Sequence, residues 1–229
     1  MLDSFKYFAF CDQDDIWESK KLIEAIRYLD ENDSITLYCS KRIIMKHEKM
    51  FLEKYPKKSS LLNFEELIFE NKCYGNTMVF KANLRNEYLK IDCRDFKMPH
   101  DWLIGRIALA TGEIHFDIRS HLKYRIHSNN ATGKRSIASL STLRIGFLSK
   151  VDPFFLREYK LLHLQLSQVN STGIKTRKLL NDVSSVSRLS YSFSPFRLRL
   201  NPKLNWIFKI FLLFGAVPYF KEVTEGQLK

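Results

Sequence analysis

Over the first 133 residues the spacing of apolar positions alternates between strand-like and helical. Tyr7 to Cys11 is a short apolar run that ends abruptly in Asp12-Gln13-Asp14-Asp15, the pattern of a buried strand delivering carboxylates at its C-terminal edge. From Glu18 to Asn32, Leu22, Ile26 and Leu29, with Ile23 alongside, recur at helical spacing against Lys20, Lys21, Glu24, Arg27, Asp30 and Glu31. Ile35 to Cys39 predicts the next strand. A lysine-rich connection from Lys41 to Lys58 then leads to Asn63-Phe64-Glu65-Glu66, a helix start with acidic residues in its first turn. Gly75-Asn76-Thr77 opens another apolar run, Met78-Val79-Phe80, followed by a short helix from Asn83 to Leu89. Pro99-His100-Asp101-Trp102 begins a helix that runs to about Thr111 and stops at Gly112. Glu113 to Ile118 and His121 to Arg125 alternate as two strands.

After Gly133 the text becomes rich in Ser, Thr and Arg, with amphipathic stretches at Leu140 to Phe147 and Pro153 to Leu166 and a basic, aromatic tail. The expected boundary lies within 134–150, giving a core over 1–140 and a basic helical extension over 141–229. Trp206 to Phe220 is the most apolar stretch, but Lys209, Gly215 and Pro218 interrupt it, and its 15 residues fall short of the ~20 needed to cross a bilayer. With Trp206 and Tyr219 near its ends it suits either a membrane interface or a buried helix. The start, Met1-Leu2-Asp3-Ser4, has no export-signal pattern.

Composition narrows the class. In a chain of 229 residues, 45% hydrophobic with only 8 Gly and 6 Pro, disordered and collagen-like classes are excluded. Cys11, Cys39, Cys73 and Cys93 form no CxxC pair and suggest neither a disulfide scaffold nor a zinc finger. The net charge of +12 is one-sided: residues 1–133 carry 21 basic and 20 acidic side chains, residues 134–229 carry 16 and 5. Such a basic segment is drawn to phosphate, in anionic lipid headgroups or nucleic acid. No RNP, helix-turn-helix or zinc-finger pattern accompanies the charge, so nucleic acid is not expected as a partner.

The candidate chemistry begins with Asp12 and Asp14. Two carboxylates at i and i+2 just past a strand suit a hard cation, because oxygen ligands at ~2.0–2.1 Å satisfy Mg²⁺ or Mn²⁺ and leave sites open for phosphate. Asp15 is either a third ligand or the cap of the following helix. An EF-hand fails, since Trp17 and Ile23 stand where Gly and Glu are required. A haloacid-dehalogenase-type phosphatase, with Asp12 as nucleophile, stays as a lesser alternative. In His100-Asp101-Trp102, a carboxylate in the first turn of a helix is kept anionic by the dipole and ready to accept a proton. His100 there suits a capping or hydrogen-bonding role. In Tyr124-Arg125-Ile126-His127, His127 offers an imidazole ligand and Arg125 a partner for phosphate or carboxylate.

Taken in order, the apolar strand with DQDDIW, then GNTMVF, HDW and YRIHSNNATG resemble glycosyltransferase family 2, especially its rhamnosyltransferase-like members, over residues 7–133. The resemblance implies an α/β fold: a partial GT-A, Rossmann-like mixed sheet with flanking helices, followed by the helical basic extension. It implies an inverting, Mg²⁺- or Mn²⁺-dependent transfer of a sugar, such as rhamnose, from a nucleotide-sugar donor to a cell-surface polysaccharide or lipid-linked glycan. By the same resemblance Asp12, Asp14 and His127 hold the metal, and Asp101 is the general base. Trp17 and Trp102 match aromatic positions of the donor and acceptor pocket, which simple packing explains nearly as well. Gly75, Asn76 and Thr77 look like the strand start that borders the acceptor cleft, and Asp15, His100 and Arg125 belong to the same pocket.

The match departs from the family at its beginning. Family members carry about two β/α units, starting with a "YN-x-E" segment, before the DxD, and these bind the nucleoside. Their absence from this sequence implies a truncated core with a bare sheet edge and puts independent activity in doubt. The expected location is cytoplasmic, at the inner face of the plasma membrane. The non-enzymatic alternative is a membrane-peripheral remnant.

Overall fold

The computed structural model describes residues 4–46, 49–53, 56–63, 67, 71–96 and 98–127, with Gln165 and Trp206 beyond them. The helix start at 64–66, the amphipathic stretches of 140–166 and the tail therefore fall almost wholly outside the described residues, and so does the domain boundary. Trp206 itself is exposed. Among the described residues no helix is long and apolar enough to cross a membrane.

The described chain is a mixed α/β layer. Its elements are β1 (Tyr7–Ala9), β2 (Ile16–Trp17), α1 (Lys21–Glu31), β3 (Ile35–Lys46), β4 (Lys49–Leu52), β5 (Ser60–Leu61), a 3-10 turn at Gly75–Thr77, β6 (Val79–Lys81), α2 (Ala82–Leu89), α3 (His100–Thr111) and β7 (Glu113–Ile126). The sheet runs β1-β6-β3-β7-β2, with β4 paired to β3 and β5 to β7. β3 and β7 pair in parallel, while β6 lies antiparallel to both β1 and β3. The C-terminal ends of β1, β3 and β7 therefore face the same way, the side on which α/β sheets place their ligands.

Alternation along the strands separates two apolar layers. Leu37, Cys39, Phe80, Ile114 and Phe116 face Leu84 of α2 and Leu103, Ile104 and Ile107 of α3. Ile35, Tyr38 and Val79 face Ala25 and Leu29 of α1. Each fully buried side chain of this size contributes roughly 1.5–3 kcal/mol. Cys39 and Cys73 lie in the first layer with their sulfurs 3.1 Å apart as free thiols.

Several expectations are corrected. β1 is a half-buried edge strand rather than a buried one. β3 continues seven residues past Cys39 and folds back through β4, where the consecutive Ile43, Ile44 and Met45 pair with Leu52, Phe51 and Met50. The two strands expected after Gly112 are one, β7, joined through an irregularity in which Ser40 pairs with Asp117 and Lys41 with Ser120. The polar residues at this break are held by Arg119, which doubles back onto Asp117 at 2.7 Å.

The buried stripe of α1 is also displaced. It runs Lys21, Ala25, Leu29, while Leu22 and Ile23 are exposed, since the helix sits on the sheet through its small Ala25. Gly112 ends α3 in an extended conformation, φ −169°, so it is not there for left-handed backbone. Its role is space: a Cβ would stand 2.5 Å from Thr36 Cγ2.

Candidate functional site

The acidic loop leaves β1 at Phe10 and is clipped to the other side of the sheet by β2. Ile16 and Trp17 pair with Lys123 and Leu122 of β7, and the Glu18 amide donates to the His121 carbonyl at 2.9 Å. This clip lays the aspartates beside the end of β7. His127 Nε2 lies 2.5 Å from Asp14 Oδ2, and the Arg125 guanidinium donates from Nε to the Asp14 carbonyl at 3.2 Å. The hydrogen bond from His127 outweighs the opposing effect of burial and lowers the Asp14 carboxyl from its ordinary value, with a smaller contribution from the positive charge of Arg125.

Asp15 takes a different direction. It accepts from the Asn76 side-chain amide and from the Arg125 backbone N–H at 3.3 Å. Burial pushes its carboxyl up against the lowering effect of these bonds, and the negative charges of Asp12 and Asp14 add to the rise. Its expected alternative role as a helix cap is not realised: α1 starts three residues past Glu18, with Lys20 at its cap and no side-chain cap bond. Asp12 is exposed, and its carbonyl closes the turn by accepting from the Asp15 amide at 3.4 Å.

The opposite wall is the first turn of α3. Pro99 occupies the capping position, and its carbonyl accepts from the Trp102 and Leu103 amides at 3.0 and 3.1 Å. Asp101 Oδ1 accepts from the Trp102 amide at 2.9 Å, and Oδ2 accepts from the Asn71 side-chain amide at 2.8 Å. Burial raises its carboxyl above the ordinary value, opposed by His100 and by backbone N–H groups that include Gly75. The 3-10 turn presses against this helix start. A Cβ on Gly75 would meet His100 Nε2 at 3.0 Å and Asp101 Cβ at 3.4 Å, so only glycine allows that approach without displacement. Phe10, just before the aspartates, meets the His100 ring edge-on at 4.8 Å between centroids.

The four motifs therefore form one connected surface. Asp15–Asn76 links the acidic loop to the turn, Gly75 links the turn to His100 and Asp101, and Arg125 with His127 tie the end of β7 to Asp14 and Asp15. Gly75, Asn76 and Thr77 form a turn and not a strand start, because the Thr77 amide and hydroxyl both close back on the Tyr74 carbonyl, at 2.9 and 2.8 Å. Trp17 is half-buried with the Lys21 ammonium 3.3 Å above its ring, and Trp102 packs on the core with the Arg106 guanidinium 5.0 Å from its ring.

Two residues of this surface escaped sequence reasoning. Lys21, grouped with the solvent face of α1, is 2% exposed, and burial pulls its amine down to about 8. Its signal was its place one helical turn before Ala25. Asn71 had no local signal, since it precedes the turn and belongs to no periodic element.

As to a cation, among the described residues no three His, Cys, Asp or Glu side chains converge on one point. Asp14 and His127 bring together an oxygen and an imidazole donor, with the exposed Asp12 on the same loop. The carboxylates are oxygen donors of the kind Mg²⁺ and Mn²⁺ take, and His127 adds an imidazole nitrogen.

No protein-family model matches the chain. An uncharacterised glycosyltransferase of Haemophilus influenzae is 30% identical over 138 residues, which cover 56% of this chain and 43% of that protein. The chain thus spans less than half the length of that relative. Among solved structures, S. aureus TarS 1–349 in complex with UDP-GlcNAc gives a TM-score of 0.47 at 17% identity, covering 93% of this chain and 58% of that one. Its complex with UDP gives 0.45 at 14%, covering 94% and 57%.

Proposed function

We propose that this chain carries the catalytic core of a GT-A-type, family 2 glycosyltransferase that moves a sugar, such as rhamnose, from a nucleotide donor to a glycan or lipid-linked glycan with inversion. The observation that carries the reading is the pair of contrasting carboxylates on one connected surface. Asp14 is bonded to His127, which lowers its carboxyl, whereas Asp101 is half-buried, bonded to Asn71 and the Trp102 amide, with burial raising its carboxyl. The sequence similarity to the Haemophilus glycosyltransferase supports the same class.

The chemistry follows from that contrast. The acceptor hydroxyl attacks the anomeric carbon from the face opposite the diphosphate. As the new C–O bond forms, the hydroxyl proton passes to Asp101, and the bond from the anomeric carbon to phosphate breaks with its electron pair leaving on the nucleoside diphosphate. Asp101 is placed to take that proton, because Asn71 and the Trp102 amide hold its two oxygens and burial raises its affinity for a proton. Asp12, Asp14 and His127 would hold Mg²⁺ or Mn²⁺. When bound, such a cation neutralises charge developing on the leaving diphosphate. Arg125 is placed to add positive charge at the same end of the sheet. The basic excess of residues 134–229 would hold the protein to anionic lipid at the inner membrane face, where lipid-linked acceptors are made.

The test is release of nucleoside diphosphate and sugar transfer from UDP- and dTDP-linked sugars, dTDP-rhamnose and UDP-GlcNAc among them, with Mn²⁺ or Mg²⁺ against EDTA. Cation-dependent turnover that Asp101→Asn lowers by about 10²–10⁴-fold, with far-UV circular dichroism unchanged, is expected. Equal turnover in that variant removes the base. Donor binding absent throughout, combined with salt-sensitive sedimentation on anionic vesicles, would favour a non-catalytic membrane-bound role.

A further inference from the structure

We infer that Asn71 is the positioning residue of the general base: it clamps one oxygen of Asp101 and tunes the carboxylate that receives the acceptor proton. The inference rests on the role given to Asp101 above.

Its basis is a two-step hydrogen-bond relay. The Cys73 backbone N–H donates to Asn71 Oδ1 at 3.0 Å, which fixes the orientation of the side-chain amide. With its oxygen so engaged, the amide must present its nitrogen to Asp101, and it donates to Oδ2 at 2.8 Å. The flip ambiguity of an asparagine is thereby resolved by the backbone. The clamp is itself anchored: Asn71 is 8% exposed, and Cys73 is buried in the core beside Cys39.

The second oxygen of Asp101 is tied to its own helix through the Trp102 amide. A carboxylate held only there still rotates with the first turn of α3. Asn71 approaches from a different segment, so together the two bonds fix the carboxylate plane against the 71–77 segment and the helix alike. A bond donated by a neutral amide stabilises the anionic form and leaves the group free of a counter-charge. Such a bond acts against the rise caused by burial, in the same direction as the backbone N–H groups of Trp102 and Gly75. Among the described residues, His100 on its own helix acts on Asp101, and the 71–77 segment presents to it the uncharged Asn71 amide and the Gly75 backbone.

The experiment uses the full chain labelled with ¹³C at the aspartate carboxyls, with the Asp101 signal assigned from Asp101→Asn. In Asn71→Leu the Asp101 titration midpoint should rise by about one pH unit or more. Asn71→Asp keeps the acceptor for the Cys73 amide and serves if the leucine variant fails to fold. It too should raise the midpoint, because it replaces a donor by a like charge. In the transfer assay the acid limb of kcat against pH should move up with the midpoint, while KM for the donor stays within about twofold, as expected of a group acting on the base alone. An unmoved Asp101 midpoint in a folded variant overturns the role of Asn71. Transfer undiminished in Asp101→Asn would instead defeat the assignment of Asp101 as base, and the carboxyl titration still reads whether Asn71 controls that group.

Discussion

His127 and Asp14 stand 113 positions apart in the chain, yet the ring nitrogen of one lies 2.5 Å from the carboxylate of the other. Both side chains are partly exposed, at 40% and 29%, so as a simple ion pair they would add only about 0–1 kcal/mol to stability. At that separation the two are directly hydrogen-bonded, and under the proposed function the same pair would open to share a cation.

That reading predicts how Mn²⁺ binding responds to substitution. Asp14→Asn and His127→Ala should each weaken it by more than the about 10–100-fold that changes behind a metal ligand cost. The double variant should be far from additive, because either loss alone already opens the site. Titration calorimetry on the four proteins measures this. Near-wild-type Mn²⁺ affinity in His127→Ala would return the pair to an ordinary surface contact.

Stability should fall in acid in two stages. Burial holds the His115 imidazole below its ordinary value, so the unfolded chain binds its proton first and stability declines as pH drops below about 6.5. Asp117 is buried, which opposes its ionisation, but the nearby His121 ring, the Arg119 fork and the Tyr38 hydroxyl hold its carboxyl far below the carboxylate range. Its contribution is complete above the unfolded value near 3.9 and is lost as pH falls below that toward the folded one. Thermal melts from pH 3 to 8 should show both stages. Asp117→Asn should remove the lower one, and His115→Gln should flatten the upper; a lower stage that persists in Asp117→Asn would refute its origin.

Gly112→Ala should destabilise the protein by about 1–3 kcal/mol through overpacking alone. Its backbone is extended and tolerates any residue, but the new Cβ would lie 2.5 Å from Thr36 Cγ2, 2.9 Å from Thr36 Oγ1 and 3.1 Å from the Ser34 carbonyl. Thr36→Ala removes the two nearest atoms and should recover part of the loss in urea denaturation. Failure to recover any would place the cost in the backbone.

The four thiols should divide evenly under native alkylation. Cys11 and Cys93 are exposed and should react with iodoacetamide, whereas Cys39 and Cys73 are buried, with burial pushing the Cys39 thiol up, and should be protected until unfolding. Mass spectrometry of the labelled native protein reads the count directly, and early labelling of Cys73 would contradict the packing described.

Local signals were enough for much of this. The helix over 100–111 was legible because Pro99, the acidic first turn and Gly112 bracket an apolar run, and the acidic loop was legible because an apolar strand stops abruptly in aspartates. The failures share a cause. Lys21 reads as solvent-facing by type, but a ring of Trp17 lies beneath its ammonium and the helix is rotated to bury it. The two strands read after Gly112 are one because pairing with β3 carries the backbone through the irregular stretch at Asp117–Ser120.

Residue types and their spacing determined which groups this chain has for chemistry: aspartates after a strand, a carboxylate at a helix start, an imidazole beyond another strand. Only the tertiary structure decided which of them meet. Parallel pairing of β3 with β7 and the two-residue clip of β2 bring His127 to Asp14, while a backbone N–H at Cys73 turns Asn71 toward Asp101. Such pairings depend on sheet order and on hydrogen bonds between distant segments, and neither leaves a period in the sequence for pattern reading to find.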